Sequence, residues 1–252
     1  MKKNGLFRDC RFYLAIIGAL SILVIVIIAV RVKVEVAGII LAIVLGIAGT
    51  FQDFIKSCIY RPILKISFQS EPPDAHKVPA RSREGEFLHY CYYFRLKVEN
   101  TGNYKMEDVE IVAVECSKEN APGEYNKVFD FLPMNLSWSH YARPENPYAM
   151  RLIPASFFRH CSFGYVTKSQ DANLELYDKH EKGKHHKVVF NLDAVSKPYS
   201  GEHILLPGDY KIKIVIAGEN LKSEQKIVRL HVEDEWNDDA KIIFFKNILS
   251  ME

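Results

Sequence analysis

Phe12 to Val30 is an unbroken run of 19 uncharged, mostly apolar side chains, and a second such run, Val36 to Phe51, follows after a short connector. At about 1.5 Å per helical residue the first run reaches roughly 28 Å, the thickness of a hydrocarbon core. The pattern predicts two transmembrane helices, at about 12–31 and 36–55, in a solvent of lipid. A signal peptide fits less well, because the run is long for an h-region and no small-x-small cleavage site precedes Arg31. Gly38, Ala42, Gly46 and Thr50 recur every four residues, a small-residue stripe that would let another helix approach closely.

Charge follows the same division. Residues 1–67 carry 9 Lys/Arg against 3 Asp/Glu, and residues 68–252 carry 24 against 28. The positive charge flanks the apolar runs, where anionic head groups would sit. Basic residues are denser in the N-terminal tail and after the second run than in the connector, which predicts both on the cytoplasmic side. The mildly acidic remainder argues against a nucleic-acid partner. Cys10, Cys58, Cys91, Cys116 and Cys161 show no paired spacing, so reduced thiols are expected rather than a disulfide framework.

Beyond Phe68 the periodicity becomes alternation. Tyr92, Phe94, Leu96 and Val98 share one strand face; Val188, Phe190 and Leu192 another; Tyr210, Ile212, Ile214 and Ile216 a third; and Val228, Leu230 and Val232 a fourth. Val109, Ile111, Ala113 and Cys116 make a less cleanly two-sided strand. Turn signals at 100–103, 121–123 and 207–208 separate these runs, which indicates antiparallel sheets packed face to face. The segments Leu132–Trp138 and Arg151–Pro154 read as edge strands or long loops.

Two stretches carry a resemblance. Val98-Glu99-Asn100-Thr101-Gly102 followed by Met106–Val114 resembles the strand–turn–strand of bacterial Ig-like domains of the cell-adhesion-related type. Leu206-Pro207-Gly208-Asp209-Tyr210 is similar to the start of a late strand in fibronectin-III-like and Ig-like sandwiches. The resemblance implies a tight turn at Asn100 and Gly102, with Gly102 at positive φ. It also implies a tyrosine corner, with the Tyr210 ring in the core and its hydroxyl on nearby backbone. The expected fold is membrane-anchored and mainly β: two N-terminal transmembrane helices, an antiparallel Ig-like β-sandwich and a short C-terminal helix. Residues 1–60 would be tail, hairpin and interfacial segment, 61–235 the sandwich and 236–252 an amphipathic helix.

Chemistry-bearing motifs are sparse. His180, His185 and His186 lie in a lysine-rich loop that reads as a solvated hairpin tip rather than a zinc site. His160 and Cys161 are strand neighbours and point to opposite faces, so they cannot form a thiol–imidazole pair. Five acids between Glu233 and Asp239 suit a helix start, capped by Asn237 or Asp238, better than a calcium loop. Ile242, Phe245, Ile248 and Leu249 would form its apolar face, with Trp236 anchoring the start. That face should pack on the sandwich, on a partner or on the bilayer. No catalytic or cofactor signature is present. The reading is a membrane-anchored, non-catalytic binding or scaffold protein without cofactors. Its partners would be the lipid bilayer and another protein, or itself through the transmembrane helices. The alternative is a membrane effector whose β domain senses a nucleotide signal and drives oligomerisation or membrane disruption.

Overall fold

The computed structural model divides into two compact units, Met1–Arg61 and Pro62–Glu252. It describes residues 60–82, 84–139, 146, 148–172, 186–247 and 249–251, together with Gly38, Ile39, Ala42, Ile43, Leu45, Gly46 and Gly49. Those seven positions are helical and exposed. A Cβ at Gly38 or Gly46 would meet nothing within 4 Å. Thr50, the first apolar run, Cys10, Cys58, His180 and His185 lie outside the described residues.

The membrane reading is corrected here. Among the described residues no helix is long and apolar enough to cross a membrane. A span needs about 20 apolar residues in one helix, whereas the α-helix described end to end, α1 (Ala240–Lys246), has 7 residues. The described residues therefore contain neither of the two expected N-terminal transmembrane helices, on which the integral membrane placement rested.

The second unit is a β-sandwich of two antiparallel sheets. Its strands are β1 (Leu64–Ser67), β2 (Ala75–Arg81), β3 (Phe87–Asn100), β4 (Met106–Ala121), β5 (Glu124–Lys127), β6 (Met134–Asn135) and β7 (Ser137–Trp138). They continue with β8 (Ala149–Ile153), β9 (Phe158–Lys168), β10 (Val188–Leu192), β11 (Ile204–Leu205), β12 (Gly208–Gly218), β13 (Leu221–Val232) and β14 (Leu249–Met251). In the first sheet β3 and β9 are central. One edge of β3 takes β1 and β2 end to end, and the far edge of β9 takes β7 and β10, with β11 beyond. In the second sheet β4 and β12 are central. Then β13 and β14 follow on one side, and β8, β6 and β5 line the other. The chain crosses between sheets at Leu136, which is fully buried between β6 and β7.

The alternating residues meet in one core: Tyr92, Phe94, Leu96 and Val98 of β3 and Val188, Phe190 and Leu192 of β10 face Ile212, Ile214 and Ile216 of β12 and Val228, Leu230 and Val232 of β13. Where alternation falters, a bulge resets the phase. In β4, Val114 is the extra residue between Glu115, paired with Lys213, and Ala113, paired with Ile214. Asp108 adds a second reset at φ 45°. Met106, Val109, Ile111, Ala113 and Cys116 thus all point inward despite uneven spacing. In β9 the extra residue is Phe163, between Gly164 opposite Phe94 and Ser162 opposite Arg95.

Beside this bulge the backbones approach closely. A Cβ on Gly164 would lie 2.3 Å from Phe190 Cε1 and 2.4 Å from the Asn191 carbonyl oxygen.

The corner residues are buried and bonded. Asn100 is fully buried. Its Nδ2 donates to the Tyr104 and Ile153 carbonyls, at 2.6 and 3.2 Å, and its Oδ1 accepts from Gly102 N at 3.0 Å. The turn is closed by that side chain. Gly102 does not take a positive φ; among the described glycines Gly85, Gly123, Gly201 and Gly208 do. Tyr210 is 4% exposed, and its hydroxyl donates to the Leu206 carbonyl at 2.7 Å. Gly208, at φ +142°, gives the backbone freedom just ahead of it.

The C-terminal element is shorter than the sequence suggests. Its cap is Asp239, whose carboxylate accepts from Lys241 N, rather than Asn237 or Asp238. Ile243 and Phe244 form the buried face, while Ile242 and Phe245 are exposed. Leu249 belongs to strand β14 on β13, because the edge of the second sheet offers a backbone ladder that a fraying helix end does not.

Tyr210→Phe should lower stability by about 1 to 3 kcal/mol by stranding the Leu206 carbonyl, and Tyr210→Ala should cost more through the added cavity. Gly164→Ala should cost about 2 to 3 kcal/mol, since its Cβ meets backbone. Equilibrium denaturation of the full chain measures all three.

Candidate functional site

The 70–77 segment is built by Asp74. Asp74 N and Ala75 N donate to the Glu71 carbonyl, each at 3.0 Å, which folds the chain into a turn. The Asp74 side chain, 4% exposed, accepts from Gln69 N at 3.0 Å and lies 2.9 Å from His160 Nε2. The segment is thereby clamped to β9.

The facing wall is α1, fixed at both ends. The Tyr92 hydroxyl donates to the Asn237 and Asp238 carbonyls at 3.2 and 3.0 Å, and Lys77 Nζ donates to the Asp238 carbonyl at 2.9 Å. Trp236 meets Tyr92 edge-on at 5.3 Å and donates from Nε1 to Asp238 Oδ1. At the far end, buried Asn247 caps the helix through Ile243 and accepts from Glu233 N. Phe244 packs on Tyr92 and Phe94 with centroids 5.7 and 5.2 Å away.

Between these walls lies a groove of about 920 Å³. Ser70, Glu71, Pro72, Ala75, His76 and Lys77 line one side, and Ala240, Lys241, Phe244 and Phe245 the other. Phe244 is 8% exposed and closes the floor, whereas its neighbour Phe245 is 82% exposed. Lys77 and Lys241 place two cations at an apolar cleft against one acid, Glu71. One wall is the start of β2, which among the described strands pairs with β3 alone. The groove can receive an apolar side chain, a negative charge and an extended backbone.

The residues singled out from sequence serve other ends. Asn100, Gly102, Gly208 and Tyr210 shape corners and do not line the groove, and Trp236 supports α1. The acidic run is spent on structure: Asp234 accepts from Lys187 N and His186 Nδ1, Asp239 caps α1, and Glu235 pairs with Lys246. Cys91, Cys116 and Cys161 are buried, and none of them is in a disulfide. Burial holds the Cys161 thiol well above its ordinary range, so it is protonated and a poor nucleophile. Among the described residues no group of three His, Cys, Asp or Glu could hold a metal ion. The groove itself escaped the sequence reading, because its walls are some 165 residues apart in the chain. The signal available was the Glu71-Pro72-Pro73-Asp74 stretch, and Phe245 on a helix too short to cover it.

The chain matches no protein-family model, and no curated protein is significantly similar to it.

Tyr92 links core and groove and gives a pH signature. Its pKa is pushed up to about 12, first by burial and then by the nearby Asp238, Asp239 and Tyr90. The folded state keeps the phenol proton in a range where the unfolded chain, at the ordinary value of 10.0, releases it. This stabilisation is complete below pH 10.0 and is lost as pH rises through about 12. Tyr92→Phe should therefore cost about 1 kcal/mol at neutral pH, and its stability should fall less steeply than wild type in the alkaline range. Denaturation midpoints followed from neutral pH to the alkaline limit check the convergence.

Proposed function

We propose that the chain is a non-catalytic binding protein, built on an Ig-like β-sandwich, that takes an extended segment of a protein partner into the groove beside α1. The Tyr210–Leu206 hydrogen bond and the Asn100 turn support the Ig-like type, since both are corner devices of such sandwiches. The observation that carries the binding reading is the groove: an open apolar cleft, bounded by an edge strand, with Phe245 exposed on its lip and Lys77 and Lys241 at its margin. A partner strand would add to β2 through backbone hydrogen bonds. Its apolar residues would lie on Phe244 and Phe245, and an acidic residue would meet Lys241. The alternative of a nucleotide-sensing membrane effector needs a membrane span, which no helix among the described residues provides.

Panning the purified full chain against a displayed random-peptide library tests the reading. Peptides alternating apolar and acidic residues should be enriched. Phe245→Asp and Lys241→Glu should each weaken their binding about tenfold while leaving the circular dichroism spectrum unchanged, because both side chains are exposed. No enrichment, or binding indifferent to both changes, would overturn it.

A further inference from the structure

The turn between β8 and β9 presents two phenylalanines to water. Residues 154–159 are all exposed, Phe157 at 44% and Phe158 at 40%. The two rings stack with centroids 5.8 Å apart and planes 16° apart, so they form one ridge. The turn beneath them is held by backbone bonds. Ser156 N donates to the Asn100 carbonyl at 2.9 Å, and Phe157 N donates to the Pro154 carbonyl at 3.3 Å. Asn100 N returns a bond to the Phe157 carbonyl at 2.9 Å. Thr101 N donates to the Ile63 carbonyl at 2.8 Å, which sets exposed Ile63 at the same corner. Ser156 sits at φ 58°, a left-handed conformation that residues other than glycine seldom hold. The corner is thus specified by its neighbours, and the ridge is displayed at a fixed place.

Each ring carries a cation. The Arg159 guanidinium lies 4.7 Å from the Phe157 centroid, and Lys97 Nζ lies 4.4 Å from that of Phe158. Lys65 stands in the adjoining strand, opposite Glu99. The acids here are fewer and already engaged. Glu99 is shared by Lys65 and Lys97, 3.8 Å from each. Asp74, 4% exposed, is bound to His160 and to Gln69 N. Among the described residues no carboxylate pairs with Arg159. Lys65, Lys97 and Arg159 against Glu99 leave this corner positive, although residues 68–252 as a whole are acidic.

An exposed apolar ridge flanked by cations matches a bilayer surface that bears anionic lipids. Aromatic rings enter the boundary between head groups and acyl chains, while long basic side chains keep their charges at the level of the phosphates. Because the turn is pinned, little ordering cost remains to be met on contact. We infer that the β8–β9 corner is a membrane-surface contact, with Phe157 and Phe158 entering the interface and Arg159, Lys97 and Lys65 meeting anionic head groups. The contact is peripheral and needs no membrane-spanning helix. None of its residues lines the groove, so either reading can fail without the other.

Tryptophan fluorescence of the full chain tests it at the corner itself, so attachment by any other segment does not decide the result. Phe157→Trp is mixed with phosphatidylcholine vesicles that contain phosphatidylserine and carry bromine on their acyl chains. The unsubstituted chain supplies the background from Trp138 and Trp236. Emission from the new indole should shift to the blue and be quenched, whereas Phe129→Trp, fully exposed beyond the end of β5, should be unaffected. Adding Arg159→Glu to Phe157→Trp should raise the lipid concentration needed for half quenching about tenfold, and high salt should act in the same direction. Brominated phosphatidylcholine alone should quench several-fold less. Phe158→Trp carries the test if Phe157→Trp does not fold, as judged by circular dichroism. An unquenched indole at the corner would overturn the inference, as would quenching no greater than at position 129 or indifferent to both phosphatidylserine and Arg159→Glu.

Discussion

The inward face of β3 is the constraint on which the rest of the sandwich depends. Tyr92, Phe94, Leu96 and Val98 are fully or almost fully buried, and every neighbouring strand must present its own apolar face in the same layer. Side chains alternate with a period of two, so a slip of one residue would turn a whole strand inside out. The strands meet this demand unequally. β12 does so by uninterrupted alternation through Ile212, Ile214 and Ile216, whereas β4 and β9 need an extra residue to return to phase. At Gly164 that correction brings two strands so near that no side chain fits. The bulges are thus consequences of one core served by strands with imperfect patterns.

Polar groups inside this structure tie loops to sheets. Asn100 satisfies both ends of its amide on backbone, and it joins the β3–β4 turn to the end of β8. Asp74 does the same at the other edge, binding its own turn and His160 of β9. Leaving either carbonyl or amide partners stranded would cost roughly 1 to 3 kcal/mol each. Their burial therefore defines where the loops lie, and through Asp74 it defines one wall of the groove.

Much of the sandwich was legible because sustained alternation of apolar and polar residues suits a half-buried strand and no helix. The runs in β3, β10, β12 and β13 read directly. Other elements were hidden for specific reasons. The Phe163 bulge in β9 places Cys161, Phe163 and Val166 inward at unequal spacing, which imitates no regular period. β2 contains Pro79, tolerated because it is an edge strand, and its charges mask its pattern. β14 was absorbed into a helix because Leu249 also fits a helical period. The apolar N-terminal runs satisfy a length rule for membrane spans, whereas no helix among the described residues is long and apolar enough to cross one. The groove had no signature beyond the Glu71–Asp74 stretch and Phe245, since it arises only when residues 70–77 and α1 are brought together beside Tyr92.

An exposed phenylalanine on its own says little about function, because folded proteins leave many apolar atoms in water. The case for the groove rests on how Phe244 and Phe245 are divided. A helix of one or two turns cannot bury two adjacent aromatics against one surface, so one must face outward. Here the outward ring stands on the lip of a cleft rather than on open convex surface, and the backbone carrying it is pinned by Tyr92, Lys77 and Asn247. Pinning removes most of the ordering cost that a flexible lip would pay on binding. A ring held still beside a cleft and a sheet-edge strand is preorganised for the partner segment proposed above. The same ring on a mobile terminus would be only a residue that the core had no room for.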